Sequence, residues 1–299
     1  MYKLIAIDLD GTLLNSYGEI SKQDKQYIEH LIKEGIKIVL TSGRTNSAME
    51  NFAEELGTKE YMICGNGANI YDLQNKKNIY NKYLSKEKIL QISNIAEQNS
   101  IYYNIYTENT IITKSLNYNT LFYYSENNKK PDSKKTNIEI VESIPKYIKN
   151  LNIQNFLKVT VCDEEPSIFN RIMQKLKQIK GVDILDVSHM ARKIIQYEMG
   201  EKEIQYYYTE ISNKNVNKWS AIQFLIKKLS ILPEEIIAIG DNINDINMIK
   251  NAGIGIAMGN SDPIVKQYAN FITDDNNSDG VSKALKKFLK WVYKKLIQT

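Results

Sequence analysis

Short runs of consecutive apolar residues alternate along this chain with longer segments whose apolar positions recur at helical spacing. Leu4-Ile5-Ala6-Ile7 and Ile236-Ile237-Ala238-Ile239 read as buried strands, because strands covered on both faces are apolar throughout. The pattern predicts strands over 3–8, 36–41 and 60–64, with helices near 21–34 and 46–56. Such alternation implies parallel strands, right-handed crossovers and helices on both faces. Ile70-Tyr71-Asp72-Leu73 reads as a further strand, so Gly65-Asn66-Gly67-Ala68-Asn69 is the turn of a hairpin. A dinucleotide fingerprint would need a third glycine and a following helix there.

The alternation changes character between about residue 82 and residue 213. Strands are expected at Tyr102-Tyr103-Asn104-Ile105-Tyr106, at Thr110-Ile111-Ile112-Thr113 and at Leu157-Lys158-Val159-Thr160-Val161, with a helix near 166–179. The first pattern resumes at Lys218. The fold class is therefore α/β: a doubly wound, mostly parallel sheet core over 1–83 and 214–299, interrupted by an inserted α/β domain over 84–213. Residues 186–206, with His189, Arg192, Glu198, Glu201 and Glu203, are polar and irregular and are expected to carry an insertion. Near the C-terminus, Leu285, Phe288, Leu289, Val292 and Leu296 recur at helical spacing among lysines. That pattern predicts an amphipathic helix docked on the core rather than lying on a membrane.

Carboxylates stand where two of these strands end. Asp8 and Asp10 lie two residues apart, so in an extended strand they share a face, and two carboxylates in one small volume repel unless a cation or proton sits between them. Gly240-Asp241-Asn242-Ile243-Asn244-Asp245 follows the strand at 236–239, and a helix beginning near Asp241 would put Asp245 one turn along on the same face. Mg²⁺ takes a near-octahedral shell of oxygens, usually including only one or two carboxylates. Asp8, Asp241 and the main-chain oxygen of Asp10 can supply it. Thr41 and Ser42 end another strand, and Lys218 leads into a helix. Hydroxyls, a helix N-terminus and an ammonium are groups that hold phosphate.

Asp8-Leu9-Asp10-Gly11-Thr12, Thr41-Ser42-Gly43-Arg44, Lys218 and Gly240-Asp241-Asn242-Ile243-Asn244-Asp245 resemble, in order, the four motifs of the haloacid dehalogenase-like superfamily. Asn66-Gly67-Ala68, Ala257-Met258-Gly259-Asn260 and Asp279-Gly280-Val281 extend the resemblance to its Cof-type phosphatases, over residues 1 to about 290. One departure is Trp219, where the family usually has glycine. The resemblance implies a Rossmann-like core and an α/β cap over 84–213 that closes on the site and selects the substrate.

The chemistry expected is transfer of a phosphoryl group to a carboxylate, whose repulsion by the phosphate dianion must be cancelled by Mg²⁺ and cationic groups. Asp8 is the expected nucleophile, and Asp10 the acid that protonates the leaving alkoxide and then the base for water. Thr41, Ser42, Lys218 and Asn244 are expected around the phosphate. Asp245 would anchor the waters of the metal, and Arg44 would stand behind the site or at its entrance. Asp10 separates phosphatases and phosphomutases from the ATPases and dehalogenases of this resemblance, which lack it. The expectation is a Mg²⁺-dependent phosphatase acting on a sugar phosphate or similar phosphomonoester. A hexose phosphomutase and a non-catalytic metabolite-binding regulator are the alternatives. Substrate contacts in the cap are expected from Tyr103, His189 and Arg192.

Composition narrows the partners. Residues AVILMFWYC make up 42% of the 299 and charged residues 25%, ordinary for a globular chain of about two domains. The net charge of +4 is spread along the sequence, so neither nucleic acid nor membrane is an expected partner; the oligomeric state is left open. Cys64 and Cys162 fit no metal or disulfide spacing, which points to a reducing compartment. The first strand leaves no room for a signal peptide, so cytoplasmic residence is expected. His30, on an amphipathic helix, is expected to be exposed.

Overall fold

The computed structural model describes residues 2–128, 130–185, 191–197 and 200–289. The chain forms two compact units, one of residues 1–43, 49–80 and 217–299, the other of residues 44–48 and 81–216. The insertion expected over 84–213 thus meets unit boundaries three residues outside it at each end, and the second unit also takes in the short segment after Gly43.

In the first unit the strands are β1 (Leu4–Asp8), β2 (Lys37–Thr41), β3 (Tyr61–Cys64), β4 (Asn69–Asp72) and β5 (Lys77–Asn81). Its helices are α1 (Lys22–Lys33) and α2 (Asn46–Leu56), the latter beginning in the segment that joins the second unit. Alternate residues of β1 enter different apolar layers. Ile5 and Ile7 pack with Leu31 of α1 and Phe52 of α2, whereas Leu4 and Ala6 pack on the opposite face. This is the doubly wound arrangement, and it explains why β1 is apolar at every position. β3 and β4 pair antiparallel around a tight turn at Gly65–Gly67, the expected hairpin.

The second unit holds α3 (Lys86–Gln98), β6 (Tyr102–Thr107), β7 (Thr110–Thr113), α4 (Tyr118–Asn127), β8 (Asn137–Ile140), α5 (Ile144–Asn150), β9 (Phe156–Asp163), α6 (Pro166–Leu176), β10 (Val182–Ile184), β11 (Ala191–Tyr197) and β12 (Gly200–Asn213). Among the described residues its sheet runs β10-β12-β9-β6-β7-β8, with β11 paired to β12. α3, α5 and α6 bury one face of it through Ile89, Ile148, Phe169 and Leu176 against Ile105, Val159 and Val161. The polar segment 186–206 is regular where described. Ala191 to Tyr197 pairs with Gly200 to Tyr206 as an antiparallel hairpin, so ladder hydrogen bonds order a segment that has no continuous apolar pattern. Residues 186–190, with His189, and residues 198–199 lie outside the described residues.

The chain then completes the first unit with α7 (Lys218–Leu229), β13 (Ile236–Gly240), α8 (Ile246–Asn251), β14 (Ile254–Ala257), α9 (Pro263–Lys266), β15 (Phe271–Ile272) and α10 (Gly280–Phe288). The strand order there is β15-β14-β13-β1-β2-β3-β4-β5. β1 is flanked by β2 on one side and β13 on the other, so the chain order reverses at β1, and such switch points put ligands at the carboxyl ends of the strands. α10 docks through Val281, Ala284 and Leu285; the rest of the expected terminal helix, from residue 290, lies outside the described residues. Trp219 takes the second position of α7 and is buried in the apolar layer with Ile222 and Leu225. His30 is a correction: it is half-buried, and its Nε2 is buried without a hydrogen-bond partner. Among the described residues no helix is long and apolar enough to cross a membrane.

Candidate active site

Asp8 is the last residue of β1 and is buried. The chain turns at once, with Leu13 N donating to the Asp8 carbonyl at 3.2 Å and Thr12 N to that of Leu9 at 3.2 Å. Gly11 sits in this turn at φ +81°, where a Cβ would come within 2.4 Å of Asp241 Oδ2. Only glycine admits both the backbone angle and the close approach of that carboxylate. Thr12 Oγ1 donates to Asp241 Oδ1 at 2.7 Å, tying the turn after β1 to the turn after β13. Thr12 was not singled out as a site residue, although its place directly after Gly11 was the available signal.

The turn after β13 is built around Asp245. Its Oδ2 accepts from the backbone N–H groups of Asp241 at 3.1 Å and Asn242 at 3.0 Å. Gly240 is required because a Cβ there would lie 2.4 Å from Asp245 Cγ. The helix expected from Asp241 starts later, as a short 3₁₀ turn over Ile243–Asp245 that continues into α8. Asp245 therefore caps the turn, and the one-turn spacing from Asp241 is not helical.

Lys218 is the first residue of α7, behind the N-cap Asn217, whose side chain accepts from Ser220 N at 2.9 Å. A cation at a helix N-terminus is disfavoured by the helix dipole, and full burial adds a desolvation cost. Both are offset by two carboxylates: Lys218 Nζ donates to Asp245 Oδ1 at 2.6 Å and to Asp8 Oδ1. The ammonium is correspondingly held well above its usual pKa by Asp245 and Asp8, against the opposing effect of burial.

One lysine does not balance the acids. Oxygens of Asp8, Asp241 and Asp245 lie within 4.8 Å of one another. Burial first, then Asp245, pushes Asp241 up to about 7. Asp8 is also raised, chiefly by burial and further by Asp245 and Asp241, with Lys218 pulling the other way. Hard, closely spaced oxygen donors whose charge is only partly neutralised fit a divalent cation of the Mg²⁺ class. Asp8 and Asp241 are the ligands available, since both Asp245 oxygens are already engaged.

The other expected residues are distributed differently. Asp10 lies beyond the end of β1, half-exposed in the turn, and is not a member of the carboxylate cluster. Thr41 is in register with Asp8, but its buried hydroxyl donates to Met248 Sδ at 3.7 Å. Ser42 is buried and continues the ladder, its N–H donating to the Ile63 carbonyl at 2.9 Å. Asn244 Nδ2 donates to Asn66 Oδ1 at 3.0 Å, and Asn244 Oδ1 is buried without a partner. Arg44 is buried within the second unit, forked onto Glu126 of α4 at 2.9 and 3.2 Å and lying over the Tyr123 ring. Tyr103 faces the helix-packed layer of the second unit, its hydroxyl donating to Glu97 Oε1 at 3.0 Å. It does not share a face with Tyr102, Asn104 and Tyr106, because side chains alternate along β6. Arg192 is in β11, and its side chain, like His189, is outside the described residues.

With this geometry in view, residues 5–285 match the haloacid dehalogenase-like hydrolase family. The chain belongs to the haloacid dehalogenase-like hydrolases. It is 29% identical over 96% of both chains to a 5-amino-6-(5-phospho-D-ribitylamino)uracil phosphatase of Bacillus subtilis. A second B. subtilis phosphatase is 28% identical over 96% of this chain and 100% of its own. Among solved structures, a haloacid dehalogenase-like hydrolase from B. subtilis is similar with a TM-score of 0.78 and 25% identity, over 96% of this chain and 99% of that one. One from Bacteroides thetaiotaomicron gives a TM-score of 0.76 and 27% identity, over 97% and 100%. This haloacid dehalogenase-like hydrolase is a phosphatase, as the Cof-type resemblance implied.

Proposed function

We propose that the protein hydrolyses a small phosphorylated metabolite, a sugar phosphate or similar phosphomonoester, through an aspartyl-phosphate on Asp8. The observation that carries this reading is the close group of Asp8, Asp241 and Asp245 at the switch point of the sheet, Asp8 and Asp245 buried and Asp241 half-buried, with Lys218 clamped between two of its members. Lys218 holds Asp8 Oδ1, which orients the other carboxylate oxygen as the attacking atom. That oxygen forms a bond to phosphorus as the bond to the leaving oxygen breaks. Asp10, half-exposed in the turn after β1, supplies the proton to the leaving alkoxide. It then takes a proton from water, whose oxygen attacks phosphorus and releases Asp8 and inorganic phosphate. Ser42, Lys218 and Asn244 are the proposed phosphate donors, joined by Thr41 once its hydroxyl turns from the weak acceptor Met248 Sδ.

Mg²⁺, held by Asp8, Asp241 and the Asp10 main-chain oxygen, would supply charge neutralisation at the phosphoryl oxygens. Asp245 keeps the Asp241 loop in place through its two backbone N–H bonds. The inserted α/β domain, over 84–213 by sequence and 81–216 by compactness, is proposed as the cap that selects the substrate. Screening phosphorylated metabolites with and without Mg²⁺ tests the reading. Hydrolysis that chelation abolishes and Mg²⁺ restores supports it; turnover that survives exhaustive chelation, or that requires zinc, defeats it.

A further inference from the structure

The turn that carries Asp10 is tied on one side by its own backbone and on the other by two asparagines from distant parts of the first unit. Leu13 N donates to the Asp8 carbonyl, and Thr12 N and Leu14 N both donate to that of Leu9, so these N–H groups are satisfied inside the turn. Its carbonyls take donors from elsewhere. Asn260 Nδ2 donates to the Gly11 carbonyl at 2.8 Å, and Asn276 Nδ2 donates to the Leu14 carbonyl at 2.8 Å. The backbone of Leu14 pairs in turn with that of Asp10 as an isolated β-bridge. The two asparagines are joined to each other, because Asn276 N donates to Asn260 Oδ1 at 3.1 Å.

Asn260 stands in the loop after β14 and Asn276 in the loop after β15. The loops meet closely: Gly259 N donates to the Asp274 carbonyl at 3.0 Å, and a Cβ on Gly259 would lie 2.9 Å from Asp275 N. Both side chains must donate and Asn260 must also accept, which an amide on a short stem does. Asp10 consequently has a pinned neighbour on each side, Leu9 through its carbonyl and Gly11 through Asn260. Asn276 makes the stronger tie. It is 8% exposed and its bond to Leu14 is buried, so losing the donor strands the Leu14 carbonyl away from water. Asn260 is exposed, and water replaces its bond at lower cost.

We infer that Asn276, assisted by Asn260, is a positioning residue for Asp10, fixing the turn so that the Asp10 carboxyl reaches the leaving oxygen. The inference rests on the phosphatase reading above. A carboxylate oxygen of Asp8 bonds to phosphorus, the bond to the leaving oxygen breaks, and the Asp10 proton moves to that oxygen. A general acid works only within hydrogen-bond reach of the atom it protonates. Holding Asp10 in place therefore matters most for a leaving group that needs the proton. An alkoxide needs it; p-nitrophenolate, whose charge is delocalised over the ring, does not.

Benzyl phosphate and p-nitrophenyl phosphate are similar in size and differ in that need. The readout is the ratio of their kcat/KM values, benzyl over p-nitrophenyl, in one preparation with Mg²⁺, which cancels the fraction of active enzyme. Asp10→Asn sets the full effect and should lower the ratio by about a hundredfold or more. Asn276→Ala should lower it by about tenfold, the scale of a small misplacement of a reacting group, and Asn260→Ala should lower it by less. In the Asp10→Asn background Asn276→Ala should lower it no further, since a residue that acts through Asp10 has nothing left to position. The assignment is overturned, with the phosphatase reading intact, by a ratio unmoved by Asn276→Ala or, where that variant does not fold, by Asn260→Ala. A ratio that falls equally in both backgrounds, as general loosening of the loops would make it, overturns it in the same way. An Asp10→Asn ratio equal to wild type removes the acid from Asp10 and the inference with it. A wild type that hydrolyses neither compound overturns both the inference and the phosphatase reading.

Discussion

Replacing Lys218 by methionine removes the buried ammonium that pairs with two of the three clustered carboxylates while keeping most of the side-chain volume. At 2.6 Å the Lys218–Asp245 attraction is about 6 kcal/mol at an effective dielectric constant of ~20, and Asp8 adds a second contact. Desolvation of the ions takes back several kcal/mol, so breaking such a pair from one side nets roughly 3–5 kcal/mol. The loss depends on pH through the acids. Asp241 in the native protein titrates near 7, above its usual 3.8, so the folded state binds the extra proton and metal-free stability falls as pH rises from about 4 to 7. Without Lys218 the repulsion is less offset, and this slope should steepen. Thermal unfolding of wild type and Lys218→Met in chelator at pH 5 and pH 8 should therefore differ on the order of 10 °C at pH 8 and much less at pH 5, where the carboxylates take up protons. Mg²⁺ should recover part of the loss at pH 8, since a cation bound only by the folded state stabilises it. Equal melting temperatures at pH 8 in chelator would refute the claim that Lys218 neutralises the cluster.

Asp8→Asn should fold, with near-wild-type melting in chelator, yet lose phosphate release by several orders of magnitude because an amide is not a competent nucleophile. Because Asp241 is held near 7, Mg²⁺ binding must expel a proton below that pH; calorimetric affinity should weaken by about tenfold per pH unit below 7, and a flat profile between pH 5.5 and 7 counts against the assignment. Gly11→Ala would set a Cβ 2.4 Å from Asp241 Oδ2 at φ +81°; it should weaken Mg²⁺ affinity at least as much as Thr12→Val, which removes only the 2.7 Å bond to the same carboxylate.

The first unit was legible because its chemistry and its hydrophobic pattern coincide. β1, β2 and β3 lie within one residue of their expected bounds, since each is an apolar run closed by a residue that cannot continue it. Lys218 was found from its place before the returning helix, and its partners came only with three dimensions: Asp245 is 27 residues and Asp8 210 residues away in sequence. The expectation for Asp10 rested on strand geometry that ends at Asp8, where the backbone turns to bring Leu13 N onto the Asp8 carbonyl. In the second unit, polar residues face inward on one side of the sheet, so hydrophobicity no longer marks what is buried. Tyr103, expected as a substrate contact, lies on the face packed by helices. The hairpin of β11 and β12 was missed because its order comes from strand pairing and not from an apolar stripe.

The central claim is that Asp8 carries the phosphoryl group during turnover. Rapid acid quench of the enzyme with a hydrolysed substrate and Mg²⁺, followed by peptide mass mapping, measures this directly. The account predicts a transient acid-stable mass gain of one phosphoryl group on the peptide containing Asp8, absent from Asp8→Asn. Sustained phosphate release with no label on that peptide, or label on another residue, would contradict it.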